Sequence, residues 1–134
     1  MGGQRRIVYS LKEPSRPEAI HVLDVETGAE EALLQSGFEN IHPAVAADST
    51  ELLFVSNESG DYEIWGLSLE TNERRMLTRS PGLDTQPCWM DTGILFMSTR
   101  GGQPAIWKMA RDGGQAVPLS RDGLLAKDPA WIRR

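Results

Sequence analysis

His42, Gln86 and Asp128 each stand immediately before a proline, 44 and 42 residues apart. An imidazole, a carboxamide and a carboxylate make a donor set that suits a divalent metal. Such a site needs all its ligands within about 2.0–2.6 Å of one ion, so the fold must bring three distant residues together. Three unlike polar residues on a solvated rim would show the same spacing. A second set is acidic: Glu13, Glu39, Glu58, Asp61 and Asp84, with Arg100 among them. These form either an ordinary solvated surface or an acidic rim that attracts a cationic peptide.

Covalent catalysis finds little material. There is no Gly-x-Ser-x-Gly elbow, and His21 and His42 are the only histidines available for acid–base work. Cys88 is the single cysteine, which rules out an internal disulfide and a cysteine-based zinc site. It reads as a small buried hydrophobe. Trp65, Trp89, Trp107 and Trp131 could stack on bases. They fall at repeated strand positions, however, and packing between elements accounts for them. No catalytic residue, metal or cofactor is assigned.

The elements that hold these residues are repeats. His42-Pro43-Ala44-Val45, Gln86-Pro87-Cys88-Trp89 and Asp128-Pro129-Ala130-Trp131 open three units. Ile7-Val8-Tyr9-Ser10, Leu53-Phe54-Val55-Ser56 and Leu95-Phe96-Met97-Ser98 form a second row, each an apolar run ending in serine. Ile20-His21-Val22-Leu23, Ile64-Trp65-Gly66-Leu67 and Ile106-Trp107-Lys108-Met109 form a third, so His21 fills a slot that tryptophan takes elsewhere. Turns follow at Gly28, Asn72 and Gly114, and each lies 14 residues before the next opening. A last short strand falls around Ala32-Leu33, Met76-Leu77 and Pro118-Leu119. Four short strands per unit, a period of 42–44 residues and no helical pattern describe β-propeller blades. Such a blade is apolar on both faces and gains its stability by stacking. The expected blades are 1–41, 42–85 and 86–127.

Ser56-Asn57-Glu58-Ser59-Gly60-Asp61-Tyr62-Glu63-Ile64-Trp65 resembles the TolB-type propeller repeat. Ser98 to Trp107 repeats it, and Pro129-Ala130-Trp131 matches the repeat's opening. Two loops depart from the pattern, Leu11 to Ala19 and Ala46 to Thr50. The resemblance implies about six blades around a central channel. It also implies a protein-interaction module of the bacterial envelope or a gating domain of prolyl-oligopeptidase-like enzymes. A few relatives are metal-dependent sugar lyases.

The net charge of −5 and the absence of a basic run argue against nucleic acid and anionic membranes as partners. No apolar stretch is long enough to span a bilayer, and Met1 to Arg5 carries no apolar signal core. The chain as given therefore reads as cytoplasmic, or as periplasmic if a leader has been removed. The resulting expectation is an all-β fold of three four-stranded antiparallel blades, half of a six-bladed β-propeller closed by dimerisation. Residues 128–134 of one copy would complete the first blade of the other. Function is expected to be non-enzymatic binding of a protein or peptide at the loop face and channel mouth, through His42, Gln86, Asp128, Glu39, Asp84, Glu58, Asp61 and Arg100. The alternative is a metal-dependent lyase or hydrolase with its site at the same mouth.

Overall fold

The computed structural model describes residues 5–120, 126–130 and 132, and among them every regular element is a β-strand. The first sheet holds β1 (Arg6–Leu11), β2 (Ala19–Asp24) and β3 (Glu30–Leu34). The second holds β4 (Asn40–Val45), β5 (Glu51–Ser56), β6 (Glu63–Ser68) and β7 (Arg74–Met76). The third holds β8 (Asp84–Met90), β9 (Gly93–Ser98), β10 (Ala105–Met109) and β11 (Val117–Pro118). All neighbours are antiparallel and follow chain order. These sheets, of three, four and four strands, stack in sequence as blades 1, 2 and 3. Trp131 and residues 1–4, 121–125, 133 and 134 lie outside the described residues, as does that part of the strand expected over 128–134.

Side-chain alternation in β5 explains the stacking. Successive residues of a strand face opposite ways. Leu52 and Phe54 therefore join Ile20, Leu34 and Leu67 between blades 1 and 2. Leu53 and Val55 join Ile64, Ile94, Phe96 and Met109 between blades 2 and 3. A strand buried on both faces has to be continuously apolar, and Leu52-Leu53-Phe54-Val55 is. Each such side chain stabilises the stack by about 1.5–3 kcal/mol. At Gly113, φ is +92° and an added Cβ would lie 2.5 Å from the Leu77 carbonyl, so only glycine lets this turn of blade 3 approach blade 2.

One strand departs from the alignment of the repeats. Ile64 pairs with Val55 and Ile106 with Met97, yet Ile20 pairs with Ser10. Leu11, rather than Ser10, stands where Ser56 and Ser98 stand. The β1–β2 loop explains this, because it spans residues 12–18, one more than the loops at 57–62 and 99–104. Strand β1 has slid by one position, which exchanges its two faces. Val8 and Ser10 turn towards blade 2, while Ile7 and Tyr9 take the opposite face.

Among the described residues no strand pairs with the outer edge of β1, the place that β4 and β8 fill in their sheets. Residues 126–130 belong to no sheet, but their entry repeats that of β4 and β8. Asn40 N–H donates to Glu18 O at 2.9 Å, Asp84 N–H to Tyr62 O at 3.1 Å, and Ala126 N–H to Pro104 O at 2.9 Å.

Candidate functional site

His42, Gln86 and Asp128 share a backbone state as well as a spacing. Their φ angles are +53°, +55° and +55°, the left-handed region that few non-glycine residues enter. The pairing registers of β4 and β8 both slip there, between Ile41 and Ala44 and between Thr85 and Cys88. The recurring polar residue before proline thus marks a β-bulge that bends each edge strand. Gln86 Oε1 accepts the Asp128 N–H at 2.5 Å. Among the described residues, no three of His, Cys, Asp or Glu gather closely enough to hold a metal.

The densest polar structure lies where β4 and β8 begin and β5 and β9 end. Asp84 opens β8 and is fully buried. Its Oδ1 accepts the Ser98 hydroxyl at 2.5 Å, and its Oδ2 accepts Ser80 Oγ at 2.8 Å and Arg100 Nη2 at 2.9 Å. The Arg100 guanidinium is held over the rings of Phe96 and Trp107, 5.2 and 4.9 Å from their centroids. Its Nε donates to Ser98 Oγ at 3.0 Å. Next to this pair sits buried Glu63, which accepts from Thr78 Oγ1 at 2.5 Å and from Ser80 N–H at 2.9 Å. Burial pushes the Glu63 carboxyl above its usual range, and the nearby Asp84 carboxylate adds to the rise, partly offset by these two hydrogen bonds.

Blade 2 builds the same position differently. Asn40 replaces Asp84 and Glu58 replaces Arg100. A carboxylate at both places would bury like charges together, and asparagine avoids that. The Asn40 amide donates to Ser36 Oγ at 3.0 Å and Phe38 O at 3.2 Å, while its Oδ1 is buried without a partner. Glu58 turns to Arg74. Nη2 donates to Oε1 at 3.2 Å, and the Nη1–Oε2 approach of 3.0 Å is an ion pair without hydrogen-bond geometry.

The remaining carboxylates share this end of the blades. Glu39 Oε2 accepts Glu18 N–H at 2.5 Å and its Oε1 lies 3.7 Å from Lys12 Nζ. Glu13 is 3.5 Å from Arg16. Asp61 borders a cleft of about 460 Å³ with Ser59, Glu63, Met76, Arg79, Ser80 and Pro81. Glu63 and Ser80 connect that cleft to the buried Asp84–Arg100 pair. Sequence reasoning found Asp84 and Arg100 as surface charges and missed Glu63, Thr78 and Ser80. The available signal was the serine that ends β5 and β9, Ser56 and Ser98, since each accepts an N–H two residues on.

The comparisons with known proteins bear on the fold and the family. The family model described as the TolB beta propeller domain matches residues 3–134. The chain belongs to the TolB β-propeller domain family. Among solved structures, TolB from Acinetobacter baumannii is 25% identical with a TM-score of 0.78, over 87% of this chain and 31% of that one. A protein assigned as TolB from Agrobacterium tumefaciens is 20% identical with a TM-score of 0.77, over 84% of this chain and 44% of that one. A chain of the nidogen/laminin complex shares the fold, at 17% identity and a TM-score of 0.68, over 92% of this chain and 46% of that one. This TolB-family chain spans less than half the length of each. No curated protein matches it in sequence. Among the described residues no helix is long and apolar enough to cross a membrane.

Proposed function

We propose that the chain is a non-enzymatic binding module that works as a homodimer, two copies closing one six-bladed ring. The observation that carries this reading is the pair of unmatched edges. Among the described residues, β1 has no neighbour in the place that β4 and β8 fill in their own sheets. Residues 126–130 carry the hydrogen bond at Ala126 and the left-handed φ at Asp128 that mark such a neighbour. Segment 128–134 of each copy would add to β1 of the other and cap an edge that otherwise invites aggregation. The contact is two-fold and self-limiting. Light scattering of the 1–134 chain should give about twice 14.8 kDa, and removal of 128–134 should abolish the dimer. A folded, monodisperse monomer refutes the closure.

The loop face then serves as the contact surface for a protein or peptide. Its loops are held by the Asp84–Arg100 and Glu63–Thr78 network, and the cleft at Asp61 opens above it. The net charge of −5 favours a cationic peptide. An oligolysine peptide should bind in a salt-dependent manner and more weakly to Asp61→Asn. Equal binding by that variant would remove the cleft from the contact surface. As a TolB-family module the chain would act in the bacterial envelope. The competing metal-dependent lyase or hydrolase requires a bound divalent ion and its loss in His42→Ala, and elemental analysis of purified protein decides between the two.

A further inference from the structure

The repeat makes one interface a template for the other. Between blades 2 and 3, Trp89 packs against the core cluster that includes Leu53 and Leu77. Its indole N–H donates to the Ala44 carbonyl at 2.8 Å. Arg111 covers the ring, 4.7 Å from its centroid, and pairs with Glu51 at 3.2 Å. The register identifies the matching residues one blade earlier. Trp89 pairs with Ile94 as Val45 pairs with Leu52, and Leu69 stands where Arg111 stands. Val8 and Leu33 correspond to Leu53 and Leu77. Between blades 1 and 2, therefore, valine replaces tryptophan and leucine replaces the covering arginine. What remains is an open groove of about 450 Å³, lined by Val8, Val22, Leu33, Val45 and Leu69, with Arg6, Glu31 and Ser49 at its mouth.

We propose that this groove binds a small, flat aromatic molecule of indole size. The chain itself demonstrates the fit, because the equivalent space accommodates an indole ring packed on equivalent aliphatic side chains. Volumes of about 300–1,000 Å³ suit small ligands, and an apolar cavity of about 150 Å³ already takes benzene. Val45 remains 40% exposed, so the lining is open to solvent. The carboxylate of Glu31 lines the groove and offers an acceptor for a ring N–H. The groove lies at the opposite end of the blades from the Asp61 cleft, so the site is independent of the loop face.

Titration with indole, followed by methyl NMR, tests the proposal on the unmodified chain. Saturable shifts confined to Val8, Val22, Leu33, Val45 and Leu69 are expected. Val45→Trp should install the Trp89 arrangement, abolish those shifts and raise the melting temperature. Leu69→Arg, which restores the guanidinium that covers the indole ring of Trp89, should tighten indole binding severalfold and serves if the tryptophan variant does not fold. Shifts spread over the surface without saturation, saturable binding that survives Val45→Trp, or an affinity that Leu69→Arg leaves unchanged or weakens, would overturn the assignment.

Discussion

Replacing Asp84 by alanine probes the polar network most directly. The substitution leaves the Arg100 guanidinium, one-fifth exposed, without its counter-ion. It also strands the Ser98 hydroxyl, which is fully buried. Breaking a buried ion pair from one side costs about 3–5 kcal/mol, and an orphaned buried hydroxyl about 1–3 kcal/mol. These overlap, because Arg100 also bonds Ser98, so a total of about 3–5 kcal/mol is expected. Against a typical stability of about 5–15 kcal/mol that is a large fraction, and it should lower the melting temperature by roughly 10 °C or more. Asp84→Asn should lose less, since asparagine occupies the same place in blade 2. Urea denaturation followed by tryptophan fluorescence, at fixed protein concentration, measures the difference. A loss below about 1 kcal/mol for Asp84→Ala would mean that the pair is hydrated and that the loops are held by something else.

Three further outcomes follow from the geometry. The Glu63 carboxyl titrates above its unfolded value, so its penalty is absent below the ordinary carboxylate range and grows as pH rises through the folded value; stability measured against pH should lose that slope in Glu63→Gln. The Tyr9 phenol is pushed up to about 12, first by its hydrogen bond to Glu30, and ultraviolet titration of Glu30→Gln should return it towards 10.0, its ordinary value. Trp107→Ala removes the ring under Arg100 and a wall of the blade 2–3 core, and should cost about 3–5 kcal/mol by chemical denaturation.

Much of the fold could be read from residue spacing because propeller blades repeat their chemistry along with their geometry. The rows containing Trp65 and Trp107 and the turns at Gly28 and Asn72 all sit where their spacing placed them. The β1 alignment failed because Ser10 imitates Ser56 and Ser98, and the extra residue in the 12–18 loop is invisible to a pattern anchored on that serine. The His42, Gln86 and Asp128 series was legible as a position, but its cause is a backbone torsion, which polar residues tolerate before proline at a bulge. The pairing of Asp84 with Arg100 was hidden for another reason. They lie 16 residues apart, Asp84 at the start of β8 and Arg100 in the turn after β9, and only the pairing of those two strands brings them together. Blade 2 conceals the rule further by keeping the position and changing both partners.

The exchange of Trp89 for Val45 also bears on how the molecule comes apart. In a linear stack, cooperativity is set by the coupling between neighbours. Blades 2 and 3 are joined by an indole hydrogen bond, a ring-covering arginine and the Arg111–Glu51 ion pair, whereas blades 1 and 2 share an apolar core flanked by a groove. Blade 1 is therefore the weakly coupled unit. Opening of β1 to β3 as a leaf, with blades 2 and 3 still closed, is the lowest-energy fluctuation the stack allows. Amide protons of Val8, Val22 and their neighbours would exchange by that route, ahead of those in β5 and β9.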